Sequence, residues 1–372
     1  MKVLQVYKTY YPDTFGGVEQ VIFQLACGGE RYGIDTTVLA VSKQREGGMQ
    51  VANHRVDYVK PEFELLSTPF SLSCIKRFKS LAKEVDLVHY HYPWPFMDVA
   101  HFLVGHNKPT VLTYHSDIVK QKVALNLYRP LQRLFLDRID RIVCTSDNYL
   151  NSSKVLSRYR EKITVIPIGL ARDSYPVATE STLQQWSSRF PGKFFLFVGV
   201  LRYYKGLHTL LEAAQGFDYP VLIVGSGPIE NELKQKAQAL GLSNIHFLGA
   251  LPDLDKVALL SLCHATVFPS HLRSEAFGVS LLEAAMYSKP MICCEIATGT
   301  TYINSHKLTG LVVPPEAPEA LRQAMRYLWN NPVEAQAMGL RAGERFESLF
   351  TAEQMTKHYA GLYTSLLQEK AK

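Results

Sequence analysis

A chain of 372 residues exceeds one typical domain and fits two. Its 47% hydrophobic and 20% charged residues are ordinary globular composition, and no uninterrupted apolar stretch is long enough for a transmembrane helix. The net charge of +6 is uneven: residues 1–172 hold 23 Lys+Arg against 16 Asp+Glu and the remainder 17 against 18, so the first part suits an anionic partner, although a plain solvated basic face explains the charge equally well.

The apolar run Val3–Tyr7 predicts a first buried strand and lacks the long apolar core of a signal peptide. Gly16-Gly17 follows, and then Val18, Val21, Ile22, Leu25 and Ala26 recur at the spacing of one helix face, with Gly33 as a stop. Thr36–Val41, Leu87–Tyr90, Thr110–Tyr114, Arg141–Thr145 and Thr164–Ile168 are further strand candidates. Leu72, Ile75, Phe78 and Leu81 mark a helix with Lys76, Arg77, Lys79 and Lys83 on other faces. Residues of about 169–192, with Arg172, Asp173, Pro176, Pro191 and Gly192, read as a linker. The alternation then restarts: strands Phe194–Leu201, Val221–Val224, Ile245–Leu248, Thr266–Pro269 and Met291–Cys294, with helical patterns such as Leu207–Ala214 and Ile229–Leu240 between them. Ala352–Leu367 closes the chain with helical periodicity. The expected fold class is α/β, as two doubly wound, Rossmann-like domains over 1–172 and 190–350, with 351–372 packing back on the first. Ligands of such sheets sit at the carboxyl ends of the strands, so the expected site lies in a cleft between the domains.

The six cysteines form no C-x-x-C pair and stand near no His at zinc-ligand spacing, so reduced core cysteines in a cytoplasmic protein are expected. Gly16-Gly17, between strand and helix, lets backbone approach a ligand and bares helix N–H groups; a plain tight turn is the alternative. Gly199 ends a strand and is followed by Arg202 and Lys205, where a diphosphate needs cations. Val224-Gly225-Ser226-Gly227 repeats a strand–turn–helix junction and either shapes a nucleotide pocket or only connects. Glu275 and Glu283 stand eight positions apart around Phe277-Gly278-Val279, a helix start offering N–H donors to phosphate. Glu283 lies on the apolar helix face, where ribose hydroxyls would partner a buried carboxylate; a structural ion pair is the alternative. His115, with Asp117 just beyond it, closes a strand and is a site candidate; His89 reads as core and His91 is open. Asp253-Leu254-Asp255 resembles a metal-diphosphate motif but reads as helix N-capping, and no carboxylate cluster argues for a metal. The stretch Lys120–Arg141 mixes Lys122, Arg129, Arg133, Arg138 and Arg141 with Leu125, Leu127, Leu131, Leu134 and Phe135, which suits an anionic lipid surface or a core helix with a basic outer face.

Taken together, Gly16-Gly17, His115, Gly199…Arg202…Lys205-Gly206 and Glu275…Glu283 resemble the retaining family 4 glycosyltransferases of GT-B fold, in order along nearly the whole chain. Tyr10-Tyr11-Pro12-Asp13, Tyr114-His115-Ser116-Asp117, Arg202-Tyr203-Tyr204-Lys205-Gly206 and Gly299-Thr300-Thr301 look most like bacterial O-antigen mannosyltransferases. Departures are Val200 where many relatives have Arg, Ile168 where many have Asn, and Ala297–Tyr302 without the usual Glu. The resemblance implies mannose transfer from GDP-mannose to a lipid-linked saccharide such as undecaprenyl-diphosphate-GlcNAc, in α1,3 linkage, for lipopolysaccharide biosynthesis at the inner face of the cytoplasmic membrane. It implies no cofactor or metal and no nucleic acid. It gives Arg202, Lys205, Gly16 and Gly17 to the donor diphosphate, Glu283 to the ribose, and Gly225, Phe277, Gly278 and Val279 to the rest of the donor. Glu275 and His115 would touch the transferred sugar and Asp117 the acceptor. A UDP-sugar donor or a nucleotide-sugar epimerase of the same fold are the alternative readings.

Overall fold

The computed structural model describes residues 1–65, 68–118 and 122–371, with backbone alone at 122–124. The chain folds as two compact units, Met1–Gly169 with Ala352–Lys372, and Leu170–Thr351.

The first unit carries β1 (Lys2–Val6), β2 (Asp35–Val41), β3 (Gly47–Val51), β4 (His54–Val59), β5 (Phe63–Leu65), β6 (Thr68–Phe70), β7 (Leu87–Tyr92), β8 (Thr110–Tyr114), β9 (Arg141–Cys144) and β10 (Ile163–Val165). Eight of these strands form one sheet in the order β10-β9-β8-β7-β1-β2-β4-β3. Neighbours are parallel except β3, which runs antiparallel to β4 at the edge. β7 and β8 are buried along their whole length, as expected of strands covered on both faces. Helices Gly17–Gly29 and Ala352–Lys370 approach closely, because Gly28 leaves room for Thr356 Oγ1, 2.7 Å from where a Cβ would stand. Met355, Tyr359, Tyr363 and Leu366 of the last helix are buried within this unit.

Strands β3 to β6 were absent from the expectation. Gly47-Gly48-Met49-Gln50 is exposed edge strand with no apolar alternation, so its sequence carries no periodic signal. β10 stops at Val165, short of the expected Ile168, because Pro167 has no N–H for the ladder.

The second unit holds β11 (Phe195–Val198), β12 (Val221–Val224), β13 (Ile245–Gly249), β14 (Ala265–Phe268), β15 (Met291–Cys294) and β16 (Gly310–Val313). All are parallel, in the order β13-β12-β11-β14-β15-β16. The segment read as a linker is folded instead: helix Glu180–Arg189 begins at the cap Thr179, whose hydroxyl accepts from Thr182 N–H. Trp186 anchors it among Phe194, Leu196 and Leu259, and its indole N–H donates to Asp255 at 2.8 Å. Two apolar residues within the helix, Leu183 and Trp186, with Phe190 at its end, sufficed to dock an otherwise polar segment.

We expect Trp186→Ala to lower the stability of the second unit by roughly 3–5 kcal/mol, from lost burial and the cavity left behind. Trp186→Phe should cost clearly less. Urea unfolding followed by circular dichroism measures both, and equal midpoints for wild type and Trp186→Ala would contradict the docking of this helix.

Candidate functional site

Strand order in the second sheet reverses between β11 and β14, which are neighbours but lead to opposite sides. The crevice at such a point receives ligands in open α/β sheets. Two loops meet there. After β11 the chain makes one turn, Tyr203–Lys205, closed by Gly206 at φ +70°. A Cβ on Gly206 would lie 2.0 Å from the Pro269 carbonyl oxygen, so glycine lets the loop after β11 sit against the loop after β14. That contact brings Lys205 Nζ to 2.5 Å from Glu275 Oε2, with both side chains buried. Ser270 Oγ donates to the same oxygen at 3.4 Å, and the ammonium lies 4.6 Å from the Phe268 ring centre. Sequence reasoning assigned Lys205 and Glu275 to separate parts of a ligand; the fold joins them as a pair. Lysine has three N–H donors, so two remain without a partner among the described residues. Arg202 is exposed in the same loop and forms no ion pair among the described residues.

Gly225 lies one strand over, at φ +135°, with the Gly199 carbonyl oxygen 2.0 Å from where its Cβ would be. It thus packs the β12 loop onto the β11 loop. Helix Val279–Met286 starts after Gly278, at φ +102°, with no side-chain cap; the N–H groups of Leu281 and Leu282 return to the Gly278 carbonyl, and those of Val279 and Ser280 have no partner among the described residues. Phe277 is buried beside Gly299. Glu283 is buried in the middle of that helix. The ion pair set aside at Glu283 exists: its Oε1 accepts from Lys256 Nζ and from the Tyr175 hydroxyl, each at 3.0 Å. Oε2 has no partner among the described residues. Burial alone would lower the Lys256 pKa, but the carboxylates of Glu283 and Asp253 outweigh it and hold it raised. Asp253 and Asp255 do not cap their helix. They stand in its first turn, after Pro252, where Asp253 pairs with Lys256 and Asp255 receives Trp186. Proline holds the cap position, so the two carboxylates stand one and three residues past the place from which a side chain caps.

The first sheet reverses between β1 and β7. Gly16 is the cap residue and Gly17 the first residue of helix Gly17–Gly29. Glu19, which sequence reasoning missed, is buried and accepts from the hydroxyls of Thr9 and Thr14 at 2.9 and 2.8 Å. A carboxylate in the first turn of a predicted helix was the available signal. Gln5, His89, His91, Thr113 and His115 are all buried polar groups on this sheet. His89 bonds Thr113 and Tyr363, Thr113 bonds Tyr359, and His91 bonds both Gln5 and His115. Burial pushes His89 and His115 down to about 3, and holds His91 well below the ordinary imidazole value. These bonds form two sets, His89 with Thr113, Tyr359 and Tyr363, and His91 with Gln5 and His115, and the two meet only where the His89 and His91 rings pack with centroids 4.3 Å apart. Asp117 Oδ1 accepts from Tyr114 and Ser153 hydroxyls at 2.8 and 3.0 Å, which ties its loop to the sheet.

In helix Lys122–Arg138, Gln132, Phe135 and Leu136 face the core, whereas Leu127, Arg129, Arg133, Leu134 and Arg138 are exposed. Lys120 and the side chain of Lys122 lie outside the described residues. No helix among the described residues is long and apolar enough to cross a membrane.

Residues 180–345 match the family described as glycosyl transferases group 1, and residues 15–173 match glycosyltransferase family 4. The chain is 56% identical to the D-rhamnosyltransferase WbpZ of Pseudomonas aeruginosa, over 100% of this chain and 98% of that one. It is 50% identical to O-antigen chain mannosyltransferase C of Escherichia coli, over 100% of both. Among solved structures, sucrose-phosphate synthase from Thermosynechococcus elongatus superposes with a TM-score of 0.81 at 19% identity, covering 99% of both chains. Anabaena HepE in complex with UDP and glucose superposes at 0.77 and 18%, covering 98% of this chain and 100% of that one. Both likenesses show the GT-B fold.

Removing one partner of Lys205–Glu275 strands a buried charge. We therefore expect Lys205→Ala and Glu275→Ala each to destabilise the second unit by about 3 kcal/mol, and the double variant to cost less than the sum of the two. Urea midpoints of the four proteins test this. In the first unit, His54 and His101 are held at about 4 and His89 and His115 at about 3, against 6.5 when unfolded. Each is neutral when folded and takes up a proton when unfolded below that value. Their contribution is complete above about pH 6.5 and is lost as pH falls toward 3. We expect the urea midpoint of this unit to drop steadily over that window; a flat profile would contradict it.

Proposed function

The chain belongs to the group 1 and family 4 glycosyltransferases, and we propose that it moves a hexose from a nucleotide-sugar donor held by the second unit to a lipid-linked saccharide held by the first. The observation that carries this reading is the buried Lys205–Glu275 pair in the same loop as the exposed Arg202, at the strand-order reversal. Arg202 and Lys205 would grip the donor diphosphate, together with the open N–H groups at Gly278-Val279 and the Phe277 backbone. Glu275 would hold both Lys205 and a hydroxyl of the transferred sugar. Glu283 would offer Oε2 to the ribose while Lys256 and Tyr175 keep Oε1. Gly16, Gly17 and His115 would approach the donor from the first unit, and Asp117 would orient a loop near the acceptor. The neighbours of Gly225 would shape the nucleotide pocket.

The barrier lies in breaking the anomeric C–O bond while negative charge grows on the departing diphosphate. Fixed cations and helix N–H groups stabilise that charge more in the transition state than in the ground state. In this reading the configuration is retained: the acceptor attacks on the face the diphosphate leaves, and a donor phosphate oxygen takes the acceptor proton. No step calls on a metal.

GDP-mannose is the proposed donor and undecaprenyl-diphosphate-GlcNAc the proposed acceptor, with an α1,3 bond formed in O-antigen assembly. The mannosyltransferase relative supports mannose. The rhamnosyltransferase relative, at 56% identity, favours a second reading in which the sugar is D-rhamnose, which is mannose without its 6-hydroxyl. Arg129, Arg133 and Arg138 around the exposed Leu127 and Leu134 would rest on anionic lipid at the inner face of the cytoplasmic membrane.

A panel of GDP-mannose, GDP-D-rhamnose and UDP-sugars, with transfer to lipid-linked GlcNAc as readout, tests the donor. We expect GDP-linked sugars to be used and UDP-sugars rejected; preference for a UDP-sugar, or conversion of donor without acceptor, would overturn the assignment. Lys205→Ala should cut kcat by roughly 100- to 1,000-fold. Liposome flotation tests the membrane contact: binding to anionic vesicles at low salt should be lost in Leu127→Glu/Leu134→Glu.

A further inference from the structure

Gln5 lies on β1, His91 on β7 and His115 directly after β8, three strands that are neighbours in the sheet. Their side chains are joined end to end. Gln5 Oε1 lies 2.9 Å from His91 Nε2, and His91 Nδ1 lies 2.9 Å from His115 Nε2. The two rings are nearly parallel, at 20°. All three residues are buried.

A neutral imidazole carries one N–H and one lone pair, so its two nitrogens play opposite roles. The Gln5 carbonyl oxygen only accepts, and therefore His91 Nε2 carries the proton. His91 Nδ1 is then an acceptor, His115 Nε2 donates to it, and His115 Nδ1 is left with a lone pair. No described residue bonds that nitrogen. We propose that Gln5 and His91 are positioning residues that fix the tautomer and ring orientation of His115, so that its Nδ1 is presented as a hydrogen-bond acceptor for a hydroxyl of the bound sugar. This rests on the reading that His115 contacts the transferred sugar. The relay spans the point where strand order reverses, so the residue at the ligand-binding edge is oriented from inside the sheet. An acceptor there selects a hydroxyl and refuses a group that can only accept, such as fluorine.

Ionisable groups facing His91 are His89 and His115 on either side, Tyr7 after β1, and Tyr90, Tyr92 and Asp98 around a small cavity. Tyr359 and Tyr363 of the last helix stand beyond His89. None of these supplies a fixed positive charge, and burial holds the Asp98 carboxyl well above its ordinary range.

The first measurement uses the unaltered chain. Nitrogen NMR of histidine-labelled protein near neutral pH, assigned with His115→Asn, should find His115 protonated at Nε2 and bare at Nδ1; the reverse tautomer overturns the proposal. The second uses Gln5→Glu, which keeps the acceptor but adds charge. The carboxylate stabilises a protonated His91, which donates from both nitrogens and forces the proton of His115 onto Nδ1. In this variant kcat/KM for the donor should fall roughly 10-fold through a new acid limb that wild type lacks, the cost of a substrate hydrogen bond reversed in sense. The limb should vanish when His115→Ala is added. Its absence from Gln5→Glu, or its persistence without His115, overturns the proposal. If His115→Ala alone transfers sugar as well as wild type, the sugar-contact reading falls and the proposal with it. The NMR tautomer then shows which of the two failed.

Discussion

A parallel sheet collects the carboxyl ends of its strands along one edge, and where the strand order reverses no crossover covers that edge. This constraint positions both candidate sites. In the second unit it sets the loops after β11 and β14 side by side, and Gly206 removes the last obstacle to their contact. The Lys205–Glu275 pair is the chemical consequence: two charges far apart in sequence meet in a dry place because two backbones can touch. Neither charge would be tolerated there alone.

The pair also changes how the donor site is understood. Isolated cations would bind a diphosphate by charge alone. A lysine already held by a carboxylate has a fixed position, and its remaining N–H groups have fixed directions. Arg202, exposed and in no ion pair among the described residues, adds a planar donor fork in the same loop. Glu283 follows the same logic, one oxygen anchored by Lys256 and Tyr175 and the other left over. Preorganisation of this kind is what electrostatic stabilisation of a leaving group requires.

The first unit uses neutral groups at the corresponding reversal. Buried imidazoles there are stripped of charge and linked through hydroxyls and an amide, and the C-terminal helix supplies two of the hydroxyls through Tyr359 and Tyr363. A helix at the end of the chain thereby completes a polar layer begun by the first strand.

Periodicity and turn residues by themselves determined the alternation of strands and helices, the family likeness and the residues worth watching, because parallel strands are continuous apolar runs and glycines mark the turns that bare backbone. Strand β8 and the end of β2 read directly from sequence. The edge strand β3, its buried neighbour β4, the small β5–β6 hairpin and helix Glu180–Arg189 did not, since an exposed edge, a short strand broken by His54, Arg55 and Asp57, or a helix docked mainly by one tryptophan has no strong period. Only the tertiary structure decided who partners whom: Lys205 with Glu275, Lys256 with Glu283, Gln5 with His91 and His115. The physical reason is that a side chain's partner is set by which loops and strands become neighbours, and neighbourhood across a doubly wound sheet follows strand order, which local sequence does not encode.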